Sequence, residues 1–158
     1  MKNIITINSK PKTILAVWNA GSRGKTDSLR HFANELLNAY PLHAPIFPTP
    51  ATVPTIGDFR LIVEINGIRI GITSQGDPGT NLRNRLINLV TTDNCDVILC
   101  SCRTRGETVA AVENIENTYG FQTIWTSTYQ IADSSHHLTL NQLKGQHILD
   151  LIQNLGLI

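Results

Sequence analysis

"TILAVWNAGSRGKTDSLRHFANELL" (residues 13–37) joins two different hydrophobic periods across a short polar turn. Residues 13–18 are a continuous apolar run. Its shortness and lack of alternation suit a strand buried on both faces. Further on, Leu29, Phe32, Ala33, Leu36, Leu37 and Tyr40 form one helical stripe, which Pro41 ends. A buried strand, a glycine-bearing turn and an amphipathic helix, in that order, open an α/β architecture.

The rest of the chain continues the alternation. Residues 41–54, "PLHAPIFPTPATVP", hold five of the seven prolines and predict an extended surface excursion. Residues 58–65 and 68–75 are strand-like. Asn66-Gly67 between them supplies the two positive φ angles of a tight hairpin. A turn at 76–80 leads to a helix over 81–91, then a buried strand over 96–102. A basic loop at 103–106 precedes a helix over 107–119, capped by Gly120. A strand over 122–129, a loop over 130–139 and a helix over 141–155 complete the chain. The expectation is one domain spanning 1–158, a three-layer α/β/α sandwich on a mostly parallel five-stranded sheet. The expected order is 2-3-1-4-5, with the first strand central and the second antiparallel at the edge.

Composition narrows the function classes. The 158 residues are 41% hydrophobic and 16% charged, with a net charge of +1, so no global field draws the chain to nucleic acid or membrane. No apolar stretch reaches the roughly 20 residues that span a bilayer. "MKNIITINSKPK" lacks the apolar core and cleavage site of a leader, and a cytoplasmic location is expected. Cys100 and Cys102 lie two apart on a strand and point to one face. They fit two small buried residues of a reduced compartment better than metal ligands. The five histidines show no ligand spacing and receive no catalytic role.

Residues 19–26 carry the chemistry. Gly24, Lys25 and Thr26 match the fixed end of the pattern G-x-x-x-x-G-K-[ST], while Asn19 stands where it asks for glycine. The placement between a buried strand and a helix is what phosphate binding requires. Backbone N–H groups and the helix N-terminus converge there on anionic oxygens. Glycine at 24 lets backbone approach phosphate, and asparagine is tolerated at positive φ, so Asn19 is compatible with such a turn.

These residues resemble the P-loop NTPase superfamily, in detail over residues 13 to about 40 and elsewhere only as β/α alternation. The resemblance implies that Asn19, Ala20, Gly21, Ser22, Arg23, Gly24, Lys25, Thr26 and Asp27 cradle the phosphates of ATP or GTP. Lys25 would reach the β- and γ-phosphates, and the Thr26 hydroxyl would hold Mg²⁺. Asp77 in "SQGDPG" is the best acidic candidate for a second metal-linked group, or else a plain turn residue. Glu64 and Asp96 are poorer. Arg103 and Arg105 follow a strand at the edge where α/β sheets bind ligands. They suit transition-state charge stabilisation or a solvated basic loop. Trp125 and Tyr129 are core or base-stacking residues.

The hairpin near a phosphate loop looks like small GTPases, but no Asn-Lys-x-Asp motif is present, which favours ATP over GTP. The expectation is NTP hydrolysis or phosphoryl transfer to an unknown small acceptor, as an NTPase or small kinase. The alternatives are a non-catalytic nucleotide-binding module that regulates a protein partner, and an α/β interaction protein that binds no nucleotide.

Overall fold

The computed structural model describes residues 10–20 and 24–158. The elements are β1 (Thr13–Trp18), α1 (Lys25–Ala39), β2 (Ala44–Phe47), β3 (Arg60–Ile65), β4 (Ile68–Thr73), α2 (Leu82–Thr91), β5 (Val97–Cys102), α3 (Glu107–Tyr119), β6 (Gln122–Ser127) and α4 (His137–Asn154). A 3₁₀ turn, Ser134–His136, leads into α4. Among the described residues the sheet has six strands in the order β2-β3-β4-β5-β1-β6. β1, β4, β5 and β6 run parallel, and β3 is antiparallel to both β2 and β4.

The α/β class matches the expectation, but the strand count and order do not. A sixth strand, β2, forms inside the proline-rich segment. Pro45 is admissible there because β2 has a partner on one side only. The strand beginning at Arg60 is therefore one place in from the edge. The 96–102 strand also lies between β4 and β1, rather than beyond β1. All six residues of β5 are buried, as its two ladders require. β6 is only partly buried along its length and forms the other edge. The final helix starts earlier than expected, at His137, and takes up part of the expected loop.

Alternate residues of the central strands feed two cores. Leu15, Val17 and Leu99 pack with Leu29, Phe32 and Leu36 of α1 and Ile148 and Ile152 of α4. Ile14, Ala16, Ile98, Cys100 and Cys102 pack with Leu86 of α2 and Val112 and Ile115 of α3. So α1 and α4 cover one face, and α2 and α3 the other. Gly145 permits the close approach of α4 to α1, since a Cβ there would lie 2.6 Å from the Phe32 backbone nitrogen. Asn66 and Gly67 adopt φ of 52° and 79°, the hairpin turn read from the sequence. No helix among the described residues is long and apolar enough to cross a membrane.

Candidate functional site

Two neighbouring strands send their chains to opposite faces. β1 leads to α1, whereas β5 leads to α3. Adjacent strands that diverge in this way open a crevice at their C-terminal ends. Lys25 lies in that crevice, 6% exposed. Its Nζ donates to the Asn19 carbonyl at 3.2 Å and the Cys102 carbonyl at 3.3 Å, which end β1 and β5 respectively. It also reaches Asp77 Oδ1 at 3.5 Å.

Asp77 is brought there by close packing of β4's exit on β5. Gly76 admits this approach, because a Cβ would fall 1.8 Å from the Ser101 carbonyl oxygen. Ser101 Oγ donates to the Ser74 carbonyl at 2.6 Å and fixes the same junction. Arg103 Nε donates to Asp77 Oδ1 at 2.8 Å, so one carboxylate serves two cations. Partial burial pushes the Asp77 carboxyl up. The Arg103 hydrogen bond and the charge of Lys25 outweigh it and hold the carboxyl below the usual value. Burial depresses the Lys25 ammonium; Asp77 pulls the other way without restoring it, and Arg103 adds to the depression. The cluster is short of negative charge, and an anion would correct that.

Gly24 stands at the N-cap of α1 with φ 78°, a conformation that favours glycine, and among the described residues no side chain caps the helix there. Thr26 Oγ1 donates to Asp58 Oδ1 at 3.1 Å, and Ser74 Oγ lies 3.2 Å from the same oxygen. Asp58 is held by the segment before β3. Arg30 donates to the Pro54 carbonyl at 2.8 Å and the Gly57 carbonyl at 2.5 Å, and pairs with Asp27. Arg30 thus straps the end of the proline-rich excursion onto α1.

The structure brings Asn19, Lys25, Thr26, Asp77 and Arg103 to one end of the sheet. Asp27 faces Arg30, and Ala20 donates its N–H to Asn19 Oδ1 at 2.7 Å. Arg105 is exposed and takes part in none of these contacts. Gly21, Ser22 and Arg23 lie outside the described residues. Glu64 pairs with Arg69 at 3.2 Å, and Asp96 accepts from the Arg69 N–H at 2.9 Å, both at the opposite end of the sheet.

Asn19 differs from its expected role. It is not among the residues with positive φ; its side chain works instead, donating to Thr128 Oγ1 at 2.7 Å. That bond ties the end of β1 to the chain leaving β6. Tyr129 lines a cavity of about 190 Å³ with Gly24, Gln130 and Asn141, beside the start of α1. Trp125 is 41% exposed and lies in a separate cleft.

Asp58 and Asn141 went unnoticed in the sequence. Asp58 had a signal. An antiparallel strand begins where its parallel neighbours end, so a carboxylate just before β3 belongs to the site's edge. Asn141, on α4, carried none. Comparison with protein-family models, curated proteins and solved structures finds no match to the chain.

Proposed function

We propose that the chain binds a nucleoside triphosphate with Mg²⁺ in the crevice between β1 and β5, ATP in preference to GTP, and hydrolyses it or transfers its phosphoryl group. One observation carries this reading. A buried lysine follows an uncapped glycine at a helix N-terminus, in a crevice where Lys25 and Arg103 share a single carboxylate. A polyphosphate supplies the missing negative charge, and the α1 N–H groups favour its oxygens.

Thr26 and Asp58 offer two oxygens 3.1 Å apart, the donor type that Mg²⁺ takes, with Asp77 nearby on Lys25. The ion would neutralise phosphate charge. On phosphate binding, Lys25 and Arg103 exchange part of their interaction with Asp77 for phosphate oxygens, which leaves Asp77 free to turn toward the ligand. The cavity at Tyr129 and Asn141 adjoins Gly24 and suits the base.

The binding-only module remains the second reading, because Asp77 is engaged by two cations and is poorly placed to take a proton. Calorimetry with ATP and GTP plus Mg²⁺, on wild type and Lys25→Ala, tests the proposal. Wild type should bind, and the variant should lose at least about 100-fold in affinity, as loss of a charge-assisted contact implies. Absence of binding by the wild type overturns it. Phosphate release then separates an enzyme from a module.

A further inference from the structure

β6 is an edge strand, and α3 covers its face incompletely. In the parallel ladder, Ala16 is opposite Trp125 and Trp18 opposite Ser127. Side chains two apart share a face, so both indoles lie on the α3 side of the sheet. α3 commits Thr108, Ala111, Val112 and Ile115 to the core. Val109, Glu113 and Glu116 occupy the flank toward β6. Between flank and strand is a cleft of about 340 Å³, lined by Trp18, Trp125, Arg103, Glu113 and Glu116 among others. The indoles are 37% and 41% exposed.

The charges of the cleft are not balanced from within. Arg103 is engaged by Asp77 at 2.8 Å. Neither Glu113 nor Glu116 forms an ion pair with a described residue. Glu116 accepts only a neutral hydroxyl, Thr123 Oγ1, at 3.3 Å. One wall is therefore aromatic and the other acidic. Indole faces attract cations, and two carboxylates opposite add to the same field. The carboxylates disfavour an anionic occupant, and an uncharged apolar one leaves them partly desolvated and unpaired.

We propose that this cleft is a binding site for a compact organic ammonium group, its methyl or methylene surface on Trp18 and Trp125 and its charge toward Glu113 and Glu116. The ammonium belongs either to a free amine or to a lysine side chain of a partner protein. Arg103 borders both sites, but the ammonium contacts are Trp18, Trp125, Glu113 and Glu116, none of which the nucleotide reading uses, so either proposal stands if the other fails.

The chain has two tryptophans, and both line the cleft, so intrinsic tryptophan fluorescence reads its occupancy. The probes are tetramethylammonium, choline, its neutral isostere 3,3-dimethyl-1-butanol, and short peptides bearing lysine or trimethyllysine. The cations should give a saturable change that weakens as sodium chloride is added. The double variant Glu113→Gln, Glu116→Gln should bind at least about fivefold more weakly. Both glutamates are exposed, so the variant should keep the wild-type circular dichroism. Trp125→Phe should weaken binding while Trp18 still reports it. Tighter binding of the free amines assigns the site to a small molecule; tighter binding of the peptides assigns it to a partner's side chain. The proposal is overturned if the isostere binds as tightly as choline, or if the double variant is unchanged. It also fails if no cation gives saturation, including the case where adenosine or guanosine alone saturates the signal.

Discussion

Two buried lysines show how one side chain takes different meanings from its surroundings. Lys144 on α4 is 7% exposed. Its Nζ donates to Thr126 Oγ1 at 2.5 Å and lies 4.8 Å from the Tyr129 ring centroid, with no carboxylate paired to it among the described residues. Burial lowers its pKa below 10.5. Between the lowered folded value and the unfolded one, the unfolded chain holds more protons, so stability contributed by this group rises with pH through that window. Lys144→Met should be neutral to stabilising by up to about 2 kcal/mol near neutral pH. Its advantage over wild type should shrink in thermal melts taken from about pH 7 toward pH 10. Lys25 is also depressed by burial, but it sits at a crevice with Asp77 and Arg103, where an arriving anion relieves the cost. The thiols take no such part. Burial pushes Cys95 to about 12 and Cys102 to about 11, which leaves them protonated at neutral pH.

Among the elements, the long connection from β2 to β3 has the largest influence on the site. Its apolar residues Ala51 and Val53 pack on the α1 core, and Arg30 holds the Pro54 and Gly57 carbonyls. Asp58 reaches Thr26 only because this segment is fixed. Arg30→Ala should destabilise the fold by about 1–3 kcal/mol, the range for lost charge-assisted hydrogen bonds with partners left behind. It should also speed proteolysis within residues 48–59 and weaken the Mg²⁺ dependence of nucleotide binding. Limited digestion and calorimetry check both effects. The prolines signalled an extended segment; they carried no signal for its attachment to α1, which depends on an arginine one helical turn beyond Thr26.

At the scale of the whole molecule, the proposed nucleotide site would link ligand binding to folding through the crevice. β1 and β5 are both buried central strands, and their ends contribute the carbonyls that hold Lys25. The proposed ligand, bound there, would clamp the two halves of the sheet together. Mg²⁺ with ATP at 100 times its Kd should therefore stabilise the chain by about 2.7 kcal/mol. For a domain of this size that raises Tm by roughly 5–11 °C. Lys25→Ala should abolish the shift. A shift that survives in the variant would place the nucleotide elsewhere.

The sequence by itself determined the α/β class, the buried strands, the hairpin at Asn66-Gly67 and the helix that starts directly after the glycine-bearing turn. Each of these is local: a hydrophobic period, a turn conformation or a residue at a helix start. The tertiary structure decided which strands are neighbours, and so which residues meet. An all-apolar run such as 97–102 shows that a strand is buried on both faces, but several strand orders bury it equally well. Insertion of β5 beside β1 placed the Cys102 carbonyl on Lys25 and Arg103 on Asp77. The antiparallel pairing of β3 with β4 carried Asp58 to the same end of the sheet, and the edge position of β6 left two indoles partly uncovered.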